Sequence, residues 1–318
     1  MSAKVVQPFP PSARLIGSAG RFDSLAWDGA ELLWCASRGG RGQLWRARPG
    51  QPPHLISGEV NLGGRVHYGG GEFSARQGVV IAAARDGGLY RLLPGQPPAR
   101  LPTPPGASAA PVLSPYGQRL AFIHSDGQTD GLFLWESSVE QVSAIANGPG
   151  FYMQPAWQPD ETTLAWVEWQ HPHLPWTHTR LVLANLLHSS PPRLSILRDE
   201  AGCSFQQPEF SPDGRWLACL CSAAAGDSLE LLDLASGRWQ VLAGGPGAVL
   251  CLPAWLQGQR SFAWAPDSQS LVFTRYTQAR AQFWQVSLVN GETSPLPTEA
   301  YTWFHQPCFS QDGRLACL

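Results

Sequence analysis

Three histidines fall close together in the chain, His171, His173 and His178. Imidazoles at this density raise the question of a zinc site, since neutral imidazole is a frequent metal ligand. Such a site needs at least three well-placed donors and further groups that orient the rings. The spacing alone supplies neither, and no metal is expected. Cys219 and Cys221 alternate along an apolar run, so both thiols lie on one face of a strand. A redox or metal pair more commonly takes the form Cys-x-x-Cys in a turn, and core packing is the expectation here. Gly69-Gly70-Gly71 lacks the spacing and the following helix of a dinucleotide fingerprint. It reads instead as a place where the backbone bends or is closely approached. Gly106-Ala107-Ser108-Ala109-Ala110 lacks the second glycine of a nucleophile elbow and follows a Pro-rich turn. Without a nucleophile there is no basis for a triad. Lys4 is the sole lysine beside 21 arginines, which argues against a phosphate-cradling or Schiff-base lysine. The expectation is a chain with no catalytic residue, no metal and no cofactor.

The elements that would position any site are built on one repeated unit, most clearly Phe210-Ser211-Pro212-Asp213-Gly214 followed by Leu217-Ala218-Cys219-Leu220. The Asp-Gly pair predicts a hairpin turn with both central residues at positive φ, and the run after it a buried strand. Equivalent units begin near Asp28, Gly78, Tyr116, Asp160, Asp267 and Asp312. Their separation of roughly 40 to 55 residues is the period of four-stranded propeller blades. Pro49-Gly50-Gln51-Pro52-Pro53 recurs as Pro94-Gly95-Gln96-Pro97-Pro98 in the next unit. Pro155, Pro208 and Pro307 are placed at the starts of first strands, where no ladder donor is needed. No run of helical periodicity competes with this reading.

The expected fold is therefore all-β: a β-propeller of the seven-bladed type, with TolB-like or WD-like repeats. Six blades would be complete and a C-terminal seventh incomplete. Residues 21–318 form the propeller domain. Residues 1–20 are a lead-in that would supply a closing strand, unless another chain does, because an unfinished blade leaves an open edge. The net charge of −2 and the 14% of charged residues do not suggest a nucleic-acid or membrane-surface partner. No apolar stretch reaches the ~18 to 20 residues of a membrane span. The cysteines are odd in number, seven, and scattered, so a reducing cytoplasm is the expected compartment.

Three segments go beyond a generic propeller: Arg65-Val66-His67-Tyr68-Gly69-Gly70-Gly71, Leu164 to Trp176, and Cys203 to Leu217. In order and spacing the chain resembles the propeller of the prolyl oligopeptidase family of serine peptidases. The likeness is closest to the acylaminoacyl-peptidase and dipeptidyl-aminopeptidase-like members. That resemblance implies the gating and docking half of a peptidase, whose chemistry resides in an α/β-hydrolase domain following the propeller. His67 stands where the family often has a glutamate, which removes any substrate contact that glutamate makes. Arg65, His67, Tyr68, His171, His173 and Trp176 are the candidates to face a ligand or partner, with ordinary loop anchoring as the competing reading. Three functions follow: a non-catalytic module that binds peptides or docks a separate hydrolase domain, one piece of a split or truncated peptidase, or a TolB-like interaction scaffold.

Overall fold

In the computed structural model, residues 20–67, 69–187, 192–297 and 301–318 are described. They form six four-stranded antiparallel sheets and one two-stranded hairpin, each with its strands in chain order. The first sheet is β1 (Gly20–Asp28), β2 (Glu31–Arg38), β3 (Arg41–Ala47) and β4 (His54–Leu55). The second is β5 (Phe73–Arg76), β6 (Val79–Ala83), β7 (Leu89–Leu92) and β8 (Ala99–Arg100). The third is β9 (Ala107–Leu113), β10 (Arg119–Ser125), β11 (Asp130–Glu136) and β12 (Gln141–Gly148). The fourth is β13 (Gly150–Trp157), β14 (Thr163–Gln170), β15 (Arg180–Asn185) and β16 (Arg193–Arg198). The fifth is β17 (Cys203–Phe210), β18 (Trp216–Ala223), β19 (Gly226–Asp233) and β20 (Arg238–Gly244). The sixth is β21 (Phe262–Trp264), β22 (Ser270–Thr277), β23 (Arg280–Ser287) and β24 (Thr293–Pro295). The hairpin pairs β25 (Cys308–Phe309) with β26 (Leu315–Ala316). Among the described residues there is no helix, and none therefore long and apolar enough to cross a membrane.

Each sheet exposes apolar side chains on both faces, so it is stable only when sandwiched. The apolar clusters record this sandwiching around a ring. Leu33, Cys35 and Leu44 of the first sheet meet Val80 and Ala82 of the second. Ile81 and Leu89 meet Phe122 and Trp135 of the third. Ile123 and Leu132 meet Trp166 and Val182 of the fourth. Val167 and Leu181 meet Phe205 and Cys219 of the fifth. Leu220 and Leu231 meet Phe262 and Phe273 of the sixth. The hairpin fills the remaining gap: Phe309 and Leu315 pack on Val272 and Phe283, while Cys308 packs on Leu25 and Trp27. Fully burying one such side chain contributes roughly 1.5–3 kcal/mol, so these interfaces carry most of the stabilisation.

The Ser-Pro-Asp-Gly units form the turns between first and second strands, with a difference from the expected geometry. Gly214 takes φ +73°, but Asp213 does not take a positive φ. The turn is longer, closed by Gly214 N–H donating to Ser211 O at 2.9 Å, with one left-handed residue at its end. Ser211 Oγ donates to Asp213 Oδ1 at 2.5 Å and accepts from Trp216 N at 3.0 Å. A turn followed by a single left-handed residue is the common alternative to the two-residue hairpin. Ser310 repeats the arrangement with Asp312, Gly313 and Arg314.

Pro155 and Pro208 also sit elsewhere than expected. They lie within β13 and β17, where the pairing register breaks between Met153 and Ala156 and between Gln206 and Glu209. The break is a bulge, and a bulge tolerates proline because one residue there is unpaired. The residue before each proline is left-handed: Ala110 (φ 49°), Gln154 (φ 55°), Gln207 (φ 51°) and Gln306 (φ 55°). Pro307 lies just ahead of β25. The sequence residues proposed as a closing strand, 1–20, fall outside the described residues except for Gly20, which opens β1.

Candidate functional site

The first strands of the sheets line the ring axis, and glutamines at their bulges and in the adjoining connectors tie neighbouring sheets together there. Gln207 Oε1 accepts from Ser261 N at 2.6 Å, and Gln207 Nε2 donates to Phe262 O at 2.7 Å. Gln154 Oε1 accepts from Gln207 N at 2.6 Å, and Gln154 Nε2 donates to Gln259 O at 3.1 Å. Gln257 Nε2 donates to Tyr152 O at 2.9 Å, and Gln306 Nε2 donates to Gly258 O at 3.2 Å. The triple glycine makes the contact that crosses the axis, from the connector before the second sheet to that between the fifth and sixth. Gly70 bridges Gln257, with Gln257 N donating to Gly69 O at 2.9 Å. A Cβ on Gly70 would lie 2.3 Å from Gln257 O, so the close approach expected of this segment is real.

The propeller has two ends. The turns between first and second strands, and between third and fourth, mark a turn face. The loops between second and third strands, and the connectors between sheets, mark a loop face. All described candidates lie at the loop face, but in separate groups. His67 (φ 53°) sits in the connector before β5, with Nε2 2.5 Å from Asp130 Oδ2. That is an ion-pair distance, though the two atoms are not aligned as a hydrogen bond, and Asp130 Oδ2 has no hydrogen-bond partner. The imidazole meets Phe151 edge-on at 5.0 Å and Trp169 at 6.4 Å, and those two rings stack at 5.4 Å. Nearby, burial first and then the Glu168 and Asp130 carboxylates push the Tyr152 phenol up to about 12. Arg65 is exposed, its Nη1 donating to Arg85 O at 3.1 Å. Tyr68 lies outside the described residues.

The second group is the loop 171–179 between β14 and β15. His171 is exposed and precedes a cis bond to Pro172. The His173 ring lies 4.7 Å from that of His178. His178 is held by Glu200 O (3.2 Å) and Asp199 Oδ1 (3.0 Å). Among the described residues no group of three or more His, Cys, Asp or Glu is arranged to hold a metal ion. Trp176 packs against Trp255 of the connector between the fifth and sixth sheets, ring centroids 4.1 Å apart. Beneath Trp176 a recess of about 420 Å³ opens between residues 222–227 and 247–253. Its one carboxylate, Asp227, is occupied by Ser222 Oγ (2.6 Å) and the Leu250 and Cys251 amides (2.8 and 3.2 Å). Burial pushes the thiol of Cys251 well up and that of Cys221 to about 12, so neither is a ready nucleophile. Around Trp255 the loop face also exposes Leu174, Val249, Leu252, Tyr301 and Trp303.

One Ser–His pair exists that the sequence did not suggest. Ser108 Oγ and His124 Nδ1 are 3.0 Å apart, with His124 Nε2 3.2 Å from Pro105 O. Ser108 is wholly buried, and burial holds the His124 pKa below its usual value. The pair closes a strand end rather than facing solvent. Asp130, Phe151 and Trp255 also escaped the sequence reading, because each reaches its partner from a distant part of the chain.

No family model matches the sequence, and no curated protein matches it. Among solved structures, a puromycin hydrolase superposes with a TM-score of 0.80 at 20% identity, over 98% of this chain and 55% of its own. Prolyl oligopeptidase B from Galerina marginata, bound to a 35mer substrate, gives 0.62 at 10% identity, over 88% and 43%. A TolB structure from Agrobacterium tumefaciens gives 0.52 at 15% identity, over 75% and 84%. The chain thus spans about half the length of the puromycin hydrolase. These likenesses establish the fold: an all-β propeller of the kind that puromycin hydrolase and prolyl oligopeptidase carry over about half of their length.

Proposed function

We propose that the chain is a non-catalytic propeller that docks an α/β-hydrolase domain of peptidase type, or a peptide presented to one, on its loop face. The observation that carries this reading is the apolar surface there. Leu174, Val249, Leu252, Trp255, Tyr301 and Trp303 are all more than a third exposed, and Trp176 is half-buried beside them. Large exposed apolar patches on a soluble propeller mark partner surfaces, and buried tryptophans are the usual energetic anchors of such interfaces. The puromycin hydrolase likeness supports a peptidase partner, because that structure continues for about as much chain again. The crossing of the axis at Gly70 and Gln257 supports docking over passage of a peptide through the ring.

We also read the hairpin β25–β26 as the opening half of a seventh blade, because it fills the gap between the sixth and first sheets. A second reading, a TolB-like interaction scaffold, is supported by the TolB structure, 84% of whose length is matched. The two separate in one experiment. The tagged chain is used to capture partners, and the captured fraction is treated with a serine-directed fluorophosphonate probe. A hydrolase partner appears as a labelled companion that is lost from a Trp255→Ser/Leu252→Ser variant. A scaffold captures unlabelled companions only.

A further inference from the structure

One polar group that lines the recess beneath Trp176 is left unused by the fold. Gln206 lies in the middle of β17, where it pairs with Leu220, two residues inward from the Ser204–Ser222 pair at the loop face. It is 4% exposed and forms part of the recess wall. Among the described residues its side-chain amide has no hydrogen-bond partner. The next residue, Gln207, has both ends of its amide engaged, by Ser261 N and Phe262 O. A buried amide with no protein partner costs roughly 1–3 kcal/mol. A ligand that supplies the missing bonds would offset that cost.

The rest of the recess is built and already satisfied. Asp227 is the one charged side chain that lines it. Its two oxygens are taken by Ser222 Oγ and by the Leu250 and Cys251 amides, which leaves no open site for a cation, while its charge repels an anion. Ala223, Ala225, Gly247 and Ala248 keep the walls small. Trp176 is fixed above them, because Pro175 O accepts from Ser204 Oγ at 2.5 Å and Trp255 packs on the indole. A volume of about 420 Å³ holds a side chain or a small ring. A carboxamide offers a donor and an acceptor in one plane, so it matches the amide of Gln206 edge to edge, and an aromatic face covers such a planar group well.

We propose that this recess binds an uncharged ligand through a primary carboxamide, with Gln206 as the pairing group and Trp176 as the cover. The carboxamide belongs either to a glutamine or asparagine side chain of a peptide or to a free small amide. Gln206 is no part of the exposed patch around Trp255, so this proposal and the docking proposal can fail separately.

Calorimetric titration of the chain reads the recess. The probes are N-acetyl-Ala-Gln-Ala N-methylamide, its Glu, Lys and Leu counterparts, benzamide and benzoate. A glutamine peptide that binds at least about tenfold more tightly than the other three, the effect of one or two neutral hydrogen bonds, assigns a peptide side chain. Binding of benzamide and not benzoate, without discrimination among the peptides, assigns a free small amide. Gln206→Leu should weaken the carboxamide that binds at least about tenfold. It should leave the Tm equal or higher, because an unpartnered buried amide gives way to an apolar group of similar size. No carboxamide binding below roughly 10 mM, binding without preference for the carboxamide, unchanged binding in Gln206→Leu, or a fall in its Tm would each overturn the proposal.

Discussion

Gln207→Ala isolates the polar latch between the first strands of the fifth and sixth sheets. Gln207 is 4% exposed. Truncation removes the acceptor of Ser261 N (2.6 Å) and Phe262 N (3.3 Å) and the donor to Phe262 O (2.7 Å) and Glu209 Oε1 (3.0 Å). Ser261 and Phe262 are themselves buried, so at least one amide and one carbonyl are orphaned. Each buried orphan costs roughly 1–3 kcal/mol, for a total of about 2–6. Water reaching the axis would favour the lower half, so the expected loss is about 3 kcal/mol. The backbone contributes little, because alanine and glutamine tolerate φ 51° about equally poorly. Gln278→Ala is the matched control: φ 48°, exposed, in a turn. Urea unfolding of both variants should show a lowered midpoint with unchanged slope for Gln207→Ala and almost no change for Gln278→Ala. A loss below about 1 kcal/mol for Gln207→Ala, or equal losses for the two, would refute the latch.

Two further perturbations follow from the same geometry. Gly70→Ala places a Cβ 2.3 Å from Gln257 O at φ +87°, so it should cost about 2–4 kcal/mol; thermal unfolding reads it, and a neutral result would mean that the crossing does not form. His124 has a folded pKa below its ordinary 6.5, from burial. The unfolded chain therefore binds the extra proton first, and stability should fall as pH drops below about 6.5. His124→Gln should flatten that slope, and an unchanged pH profile in the variant would contradict it.

The strand plan was legible because each sheet repeats a local pattern of turn polar residues and a short apolar run. The turn detail was not. Asp-Gly permits two turn geometries, and Ser211 Oγ, bonded to Asp213 and Trp216, selects the longer one. Pro155 and Pro208 were misplaced because a bulge depends on pairing with a neighbouring strand, which the proline itself does not encode. Among the candidate site residues, His67 and Trp176 each pack against side chains of this chain on the loop face. Their partners, Asp130 and Trp255, are distant in the chain and carry no local motif.

The most direct measurement of the docking account is fluorophosphonate labelling of the affinity-captured chain, wild type beside Trp255→Ser/Leu252→Ser. The account predicts that the 318-residue chain itself stays unlabelled, that a labelled companion comes down with wild type, and that the face variant loses it. Label on the chain itself, or a labelled companion retained by the variant, would contradict it.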